Sequence, residues 1–370
     1  MIIMALDHTR DFFGQSGISP TDVARAGSAL FFTRWVTNIC APVFFLLTGT
    51  GAYLSLRRKS KAELSRFLLS RGLWLIFLDA VILRCFAMQF NFDYHITLLI
   101  VIWALGWAMI VLSALIYLPD FAVTGIGCLL IVSHNLLDSV PAKLFGAFAP
   151  LWNILHVQGF VITNPQHMVF VAYPLIPWVG VTAAGYGLGQ IFGWPPARRR
   201  VFLFRLGIGL VVAFLILRTI NVYGDPTPWA LHPSPLLSFL NTNKYPPSLL
   251  FLLMTLGPAT LLLALFTGRT PRLLAPALVY GRVPLFYYAL HFFLIHVLAV
   301  VICYAIYGHV HWMFESPSLA QYPFTRPPGW GFSLPITYLI WISIVVALYP
   351  VCKWFGSVKR RSSSAWLSYL

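Results

Sequence analysis

Charge is scarce in this chain. Only 9% of its 370 residues are Asp, Glu, Lys or Arg, against about 25% in a soluble domain. A surface with so few charges cannot be kept in water over most of its area. Acidic residues are the scarcest, 10 against 25 Lys and Arg, which leaves a formal charge of +15. Cysteine is also sparse: Cys40, Cys85, Cys128, Cys303 and Cys352 sit singly inside apolar runs. No CxxC or metal-ligand spacing occurs, which speaks against a disulfide framework or a bound metal. HExxH, GxSxG and phosphate-loop strings are missing too, which argues against a metallopeptidase, a serine hydrolase and a nucleotide-driven pump. No polar linker interrupts the chain, so residues 1–370 read as a single domain.

What the chain has in abundance is apolar length. Hydrophobic residues make up 59% and aromatics 16%, and the mean hydropathy is +0.80. Apolar stretches fall near 30–56, 67–90, 95–118, 120–137, 168–193, 201–221, 247–267, 283–307 and 333–352. Each approaches the roughly 20 residues that a helix needs to cross a bilayer. The fold expected is therefore an all-α polytopic transmembrane bundle of about ten spans, the first of them truncated. The stretch 144–162 holds Pro150, Asn153, His156 and Gly159 and reads as either a re-entrant or an interfacial piece.

Basic residues set the sidedness. They cluster at Arg57, Arg58, Lys59, Lys61, Arg66 and Arg71, at Arg198, Arg199, Arg200 and Arg205, at Arg269, Arg272 and Arg282, and at Lys353, Lys359, Arg360 and Arg361. Even numbers of apolar stretches separate these clusters, so all four fall on one side. The positive-inside bias makes that side the cytoplasm, with the C-terminus on it. The bias also accounts for the net charge without nucleic acid. The opposite loops collect His8, His95, His156, His167, His232, His309 and His311, as if a polar pocket opened outward. Only Met1 to Leu6 precede the polar cluster Asp7–Asp11. There is no basic n-region of a signal peptide, so the expectation is that a complete first span lies upstream and that Met1 is internal.

Several polar residues stand where burial is costly and a function is the usual reason. Asp7, His8 and Asp11 come first: an imidazole titrates near neutral pH, and a nearby carboxylate can orient it. The alternative is a solvated helix end. Arg34 and Asn38 lie four apart on one helical face, with snorkelling as the alternative for Arg34. Asp79 is expected to neutralise an arginine, with Arg84 nearby. Arg218, Asn221 and Asp225 surround a Gly-Asp-Pro turn that reads as a substrate wall or a plain loop turn. Lys244 precedes a span whose prolines suit a first helical turn. His291 lies near mid-membrane, either as a site residue or as a neutral ring bonded to a neighbouring helix.

The strings MALDHTRDFF (4–13), FFTRWVTNICAPVFFLLTGTGAYL (31–54), YPLIPWVGVTAAGYGLG (173–189), YGDPTPW (223–229), KYPPSLLFLLMTLGP (244–258) and GRVPLFYYALHFFLIH (281–296) together resemble bacterial members of the heparan-alpha-glucosaminide N-acetyltransferase-like membrane family. The chain departs from that pattern in three places. It lacks the basic residue, acidic residue and Arg-Gly pair that open the first span of members, it has Asn38 where members often carry His, and it has Ile18 where mammalian relatives place a His. The role implied for the family's active-site imidazole therefore passes to His8.

The resemblance implies a transmembrane acetyltransferase in a bacterial inner membrane. It would move acetyl from cytoplasmic acetyl-CoA to an amino sugar or glycan hydroxyl on the other face, with no metal. His8 would act as general base or acyl carrier, oriented by Asp7 or Asp11. Arg34, Asn38, Arg218, Asn221, Asp225, Lys244 and His291 would line the substrate site. The alternatives are a transporter or permease and a non-catalytic partner of an envelope-glycan machine. The sequence leaves a homodimer open.

Overall fold

The computed structural model describes residues 1–15, 17, 19–268, 271–362 and 367, so Ile18 and the basic residue Arg269 lie outside the described residues. The chain opens with α1 (Ile2–Phe13), which carries the polar cluster. The following apolar stretch is two helices, α2 (Ser28–Thr37) and α3 (Cys40–Ser55). The break falls at Asn38, because Pro42 cannot donate an N–H and its ring crowds the carbonyl four residues back.

Ser60 starts α4 (Lys61–Phe77) with a capping box: its hydroxyl accepts from Glu63 N–H while the Glu63 carboxylate accepts from Ser60 N–H. The helix continues as a π-helical segment over Leu78–Met88, which swings Asp79 towards the next helix. Among the described residues Asp79 pairs with no arginine, contrary to expectation. Its carboxylate accepts from Trp103 N–H at 3.3 Å, in the first turn of α5 (Val101–Leu115), where a helix start leaves N–H groups open. Arg84 instead donates to the carbonyls of Asn91 and Ile96 and lies 3.5 Å from Asp93.

Three apolar runs differ from their expected form. Residues preceding α5 form β1 (Ile96–Leu99). After α6 (Asp120–Ser133), the stretch 144–162 yields a short helix α7 (Ala149–Leu155) and then β2 (Gly159–Asn164). The run starting at 168 begins with β3 (His167–Val171), and only then comes α8 (Leu175–Leu188). The strands form one small sheet of order β1-β3-β2, with β1 parallel to β3 and β2 antiparallel to it. Short apolar strands and buried helix segments share a composition, so hydropathy alone cannot separate them.

The remaining helices are α9 (Pro196–Ile220), α10 (Pro235–Leu240), α11 (Leu249–Leu265), α12 (Ala275–Arg282), α13 (Pro284–Tyr307) and α14 (Leu334–Arg361). Proline in the first turn pre-sets α9, α13 and α14. Gly308, with φ 74°, ends α13 in the left-handed region that favours glycine.

Six of the described helical segments are long and apolar enough to cross a membrane, and α5 and α11 are shorter apolar helices. Large apolar side chains such as Phe121, Leu129, Ile216, Leu339 and Val346 are exposed on their flanks, as befits contact with lipid. This is an all-α, multi-pass membrane fold. Its basic connections gather at one end: Arg57 donates to Phe192 carbonyl at 3.1 Å and Lys61 to Leu118 carbonyl at 3.4 Å. The small sheet and the long loops cap the other end.

Without a hydrophobic drive between helices in lipid, close packing must come from small residues. A Cβ on Gly49 of α3 would lie 1.9 Å from the Thr182 carbonyl oxygen of α8, and one on Gly185 would lie 2.1 Å from that of Leu46. The two backbones therefore touch, and α3 held in this way lends Cys40, Ala41 and Phe44 to the site.

Candidate active site

A cavity of about 640 Å³ opens among the long loops, on the end away from the basic connections. Asp7, His8 and Asp11 of α1, Arg34 and Asn38 at the end of α2, and Lys244 before α11 all line it. Six residues from three distant segments thus converge.

Asp7 is the electrostatic centre. Its carboxylate is ion-paired with Arg34, lies 2.9 Å from Arg10 Nη2, and is 3.9 Å from Lys244 Nζ. A carboxylate buried among three cations is held by them. Asp11 likewise pairs with Arg10 at 2.6 Å. Neither carboxylate shares a hydrogen bond with the imidazole among the described residues. The partner of His8 Nδ1 is His291 Nε2, at 2.6 Å.

His8 is held on three sides. Phe292 lies against its face with ring centroids 4.0 Å apart, and Tyr288 meets it edge-on at 5.9 Å. His8 Nε2 has no hydrogen-bond partner among the described residues, and the residue lines the cavity. Asn38 offers a second unengaged group, since its buried Oδ1 has no partner.

The loop before α11 brings Lys244 to the cavity, and Arg218, Asn221 and Asp225 hold that loop rather than line the cavity. Arg218, only 1% exposed, donates to the carbonyls of Thr227, Ser238, Phe239 and Asn241 at 2.9–3.1 Å. Asp225 accepts from Asn243 N–H at 2.8 Å and from Ser248 Oγ at 2.7 Å. Asn221 ends α9 in a left-handed conformation and exchanges hydrogen bonds with the backbone of Trp229. His291 sits behind His8, fully buried.

Tyr245, which the sequence did not single out as a site residue, stands 3.4 Å from Arg34 Nη2, with Lys244 Nζ over its ring at 5.2 Å. Burial raises its phenol, but Lys244 and Arg34 outweigh that and bring it down to about 8. Tyr173 and Tyr288 also line the cavity. Their only signal in the sequence was a hydroxyl inside an apolar string.

The model of the family described as heparan-alpha-glucosaminide N-acetyltransferase, catalytic, matches residues 1–217. The chain belongs to this family. The matched region carries Asp7, His8, Asp11, Arg34 and Asn38, whereas Lys244 and His291 come from beyond it. Comparison with curated proteins and with solved structures gave no match. Membership in the heparan-alpha-glucosaminide N-acetyltransferase family and the apolar helices together make this chain a multi-pass member of a membrane acetyltransferase family.

Proposed function

We propose that this chain transfers acetyl from acetyl-CoA, supplied at the basic end, to an amine or hydroxyl of a sugar or glycan that enters the cavity from the opposite face. We read about ten spans, the basic end and C-terminus as cytoplasmic, and a bacterial inner membrane as the site.

The observation that supports this most is His8, fixed at the cavity wall with an unengaged ring nitrogen, in a chain of this family. In the step proposed, His8 Nε2 takes the proton of the acceptor N–H or O–H as that atom bonds to the thioester carbonyl carbon. The carbon–sulfur bond then breaks and the departing thiolate receives the proton. Arg34, Asn38 and Lys244 hold the thioester carbonyl or the acceptor, where charge develops. Asp7 balances the cations, and Asp11 serves as counter-charge to Arg10. Arg218, Asn221 and Asp225 act through the loop that carries Lys244.

Membranes from expressing cells, incubated with labelled acetyl-CoA and a panel of amino sugars and glycan lipids, test the reading. The expected result is labelled product that falls by about 100-fold or more in His8→Ala. Equal labelling by wild type and His8→Ala removes the role of His8. Uptake of a labelled solute with no transfer favours a permease.

A further inference from the structure

We propose that His291 is the positioning residue of the site: it fixes the proton of His8 on Nδ1 and thereby keeps Nε2 bare towards the cavity.

The Tyr287 carbonyl lies 2.9 Å from His291 Nδ1, one helical turn back on α13. A carbonyl oxygen only accepts, so His291 Nδ1 carries its hydrogen. In the neutral ring Nε2 is then a lone pair. That lone pair faces His8 Nδ1 at 2.6 Å, so the hydrogen between the rings belongs to His8. With Nδ1 occupied, His8 Nε2 is the bare nitrogen. The ring planes lie within 20° and the centroids are 4.9 Å apart, which fits two nearly coplanar rings sharing an N–H···N bond end to end. Phe292 and Tyr288 prevent the His8 ring from turning away.

A buried imidazole thus takes the place that a carboxylate holds in other histidine sites. The chemical sense lies in the surroundings. Asp7, Arg10, Arg34 and Lys244 form a closed charge group beside His8, and a further carboxylate behind the ring would be drawn into it. A neutral acceptor backed by a carbonyl dipole orients the base without competing for those cations. The inference builds on His8 as general base, but its primary test does not.

That test is the nitrogen spectrum of isotope-labelled histidine in the full chain in lipid nanodiscs, with the His8 signal assigned by its loss in His8→Ala. Wild type should show the Nδ1–H form of His8. His291→Gln, whose side-chain oxygen can accept, should keep that form, and His291→Phe, similar in shape with no acceptor, should lose it. In the transfer assay His291→Phe should lower kcat by about 100-fold, with acceptor KM within about threefold of wild type, and His291→Gln should recover most of the loss. Wild-type His8 protonated on Nε2 overturns the proposal, as does unchanged kcat in His291→Phe. If wild type transfers no acetyl, the reading of function fails while the spectrum still decides the tautomer.

Discussion

The carboxylate of Asp7 and the guanidinium of Arg34 form an ion pair across the seam between α1 and α2, with side chains only 12% and 13% exposed. Arg10 and Lys244 approach the same carboxylate, so one aspartate gathers cations from three segments at the cavity wall. The site's shape depends on that shared negative charge.

Asp7→Asn leaves those cations without their shared counter-charge. Removing one partner of a buried pair costs about 3–5 kcal/mol, while removing both costs much less. The thermal midpoint in detergent should therefore fall sharply in Asp7→Asn and recover in part when Arg34→Gln is added. A double variant less stable than Asp7→Asn would contradict this account of the cluster.

Tyr245 provides a pH signature. Its phenol, ordinarily at 10.0, is lifted by burial but lowered more by Lys244 and Arg34, to about 8. Because the folded value lies below the ordinary one, the fold favours the phenolate. The stability it contributes is fully present above pH 10 and is lost as pH falls through about 8. Ultraviolet difference titration of wild type against Tyr245→Phe should show one phenol ionising near pH 8. Ionisation confined to pH above 10 would show that the two cations do not act on it.

The contact between α3 and α8 predicts a packing effect. Alanine at Gly49 or Gly185 must push backbone away from backbone, at about 1–3 kcal/mol for an overpacked position. Both variants should lower the thermal midpoint, whereas Gly51→Ala on the same helix meets nothing within 4 Å and should not. Equal midpoints for Gly49→Ala and Gly51→Ala would mean that the helices yield freely.

Reading along the chain is enough to establish the solvent in which it folds, the helices that follow from long apolar runs, and the end that collects basic residues. These are local properties: hydropathy, helical rise and charge are read within a window of about 20 residues. It also marked His8, Arg34, Asn38 and Lys244, because a polar group at a span boundary is conspicuous against 59% hydrophobic residues.

What those groups touch emerges only when distant segments pack together. His8 and His291 are 283 residues apart in the chain yet share a hydrogen bond, and Asp79 caps a helix instead of meeting an arginine. Arg218 and Asp225 tie down a loop whose path no periodicity records. The small sheet was hidden because its strands have the composition of short spans. A partner is chosen by which helices pack side by side, and that follows from non-local close contacts such as Gly49 against Thr182, which local sequence leaves open.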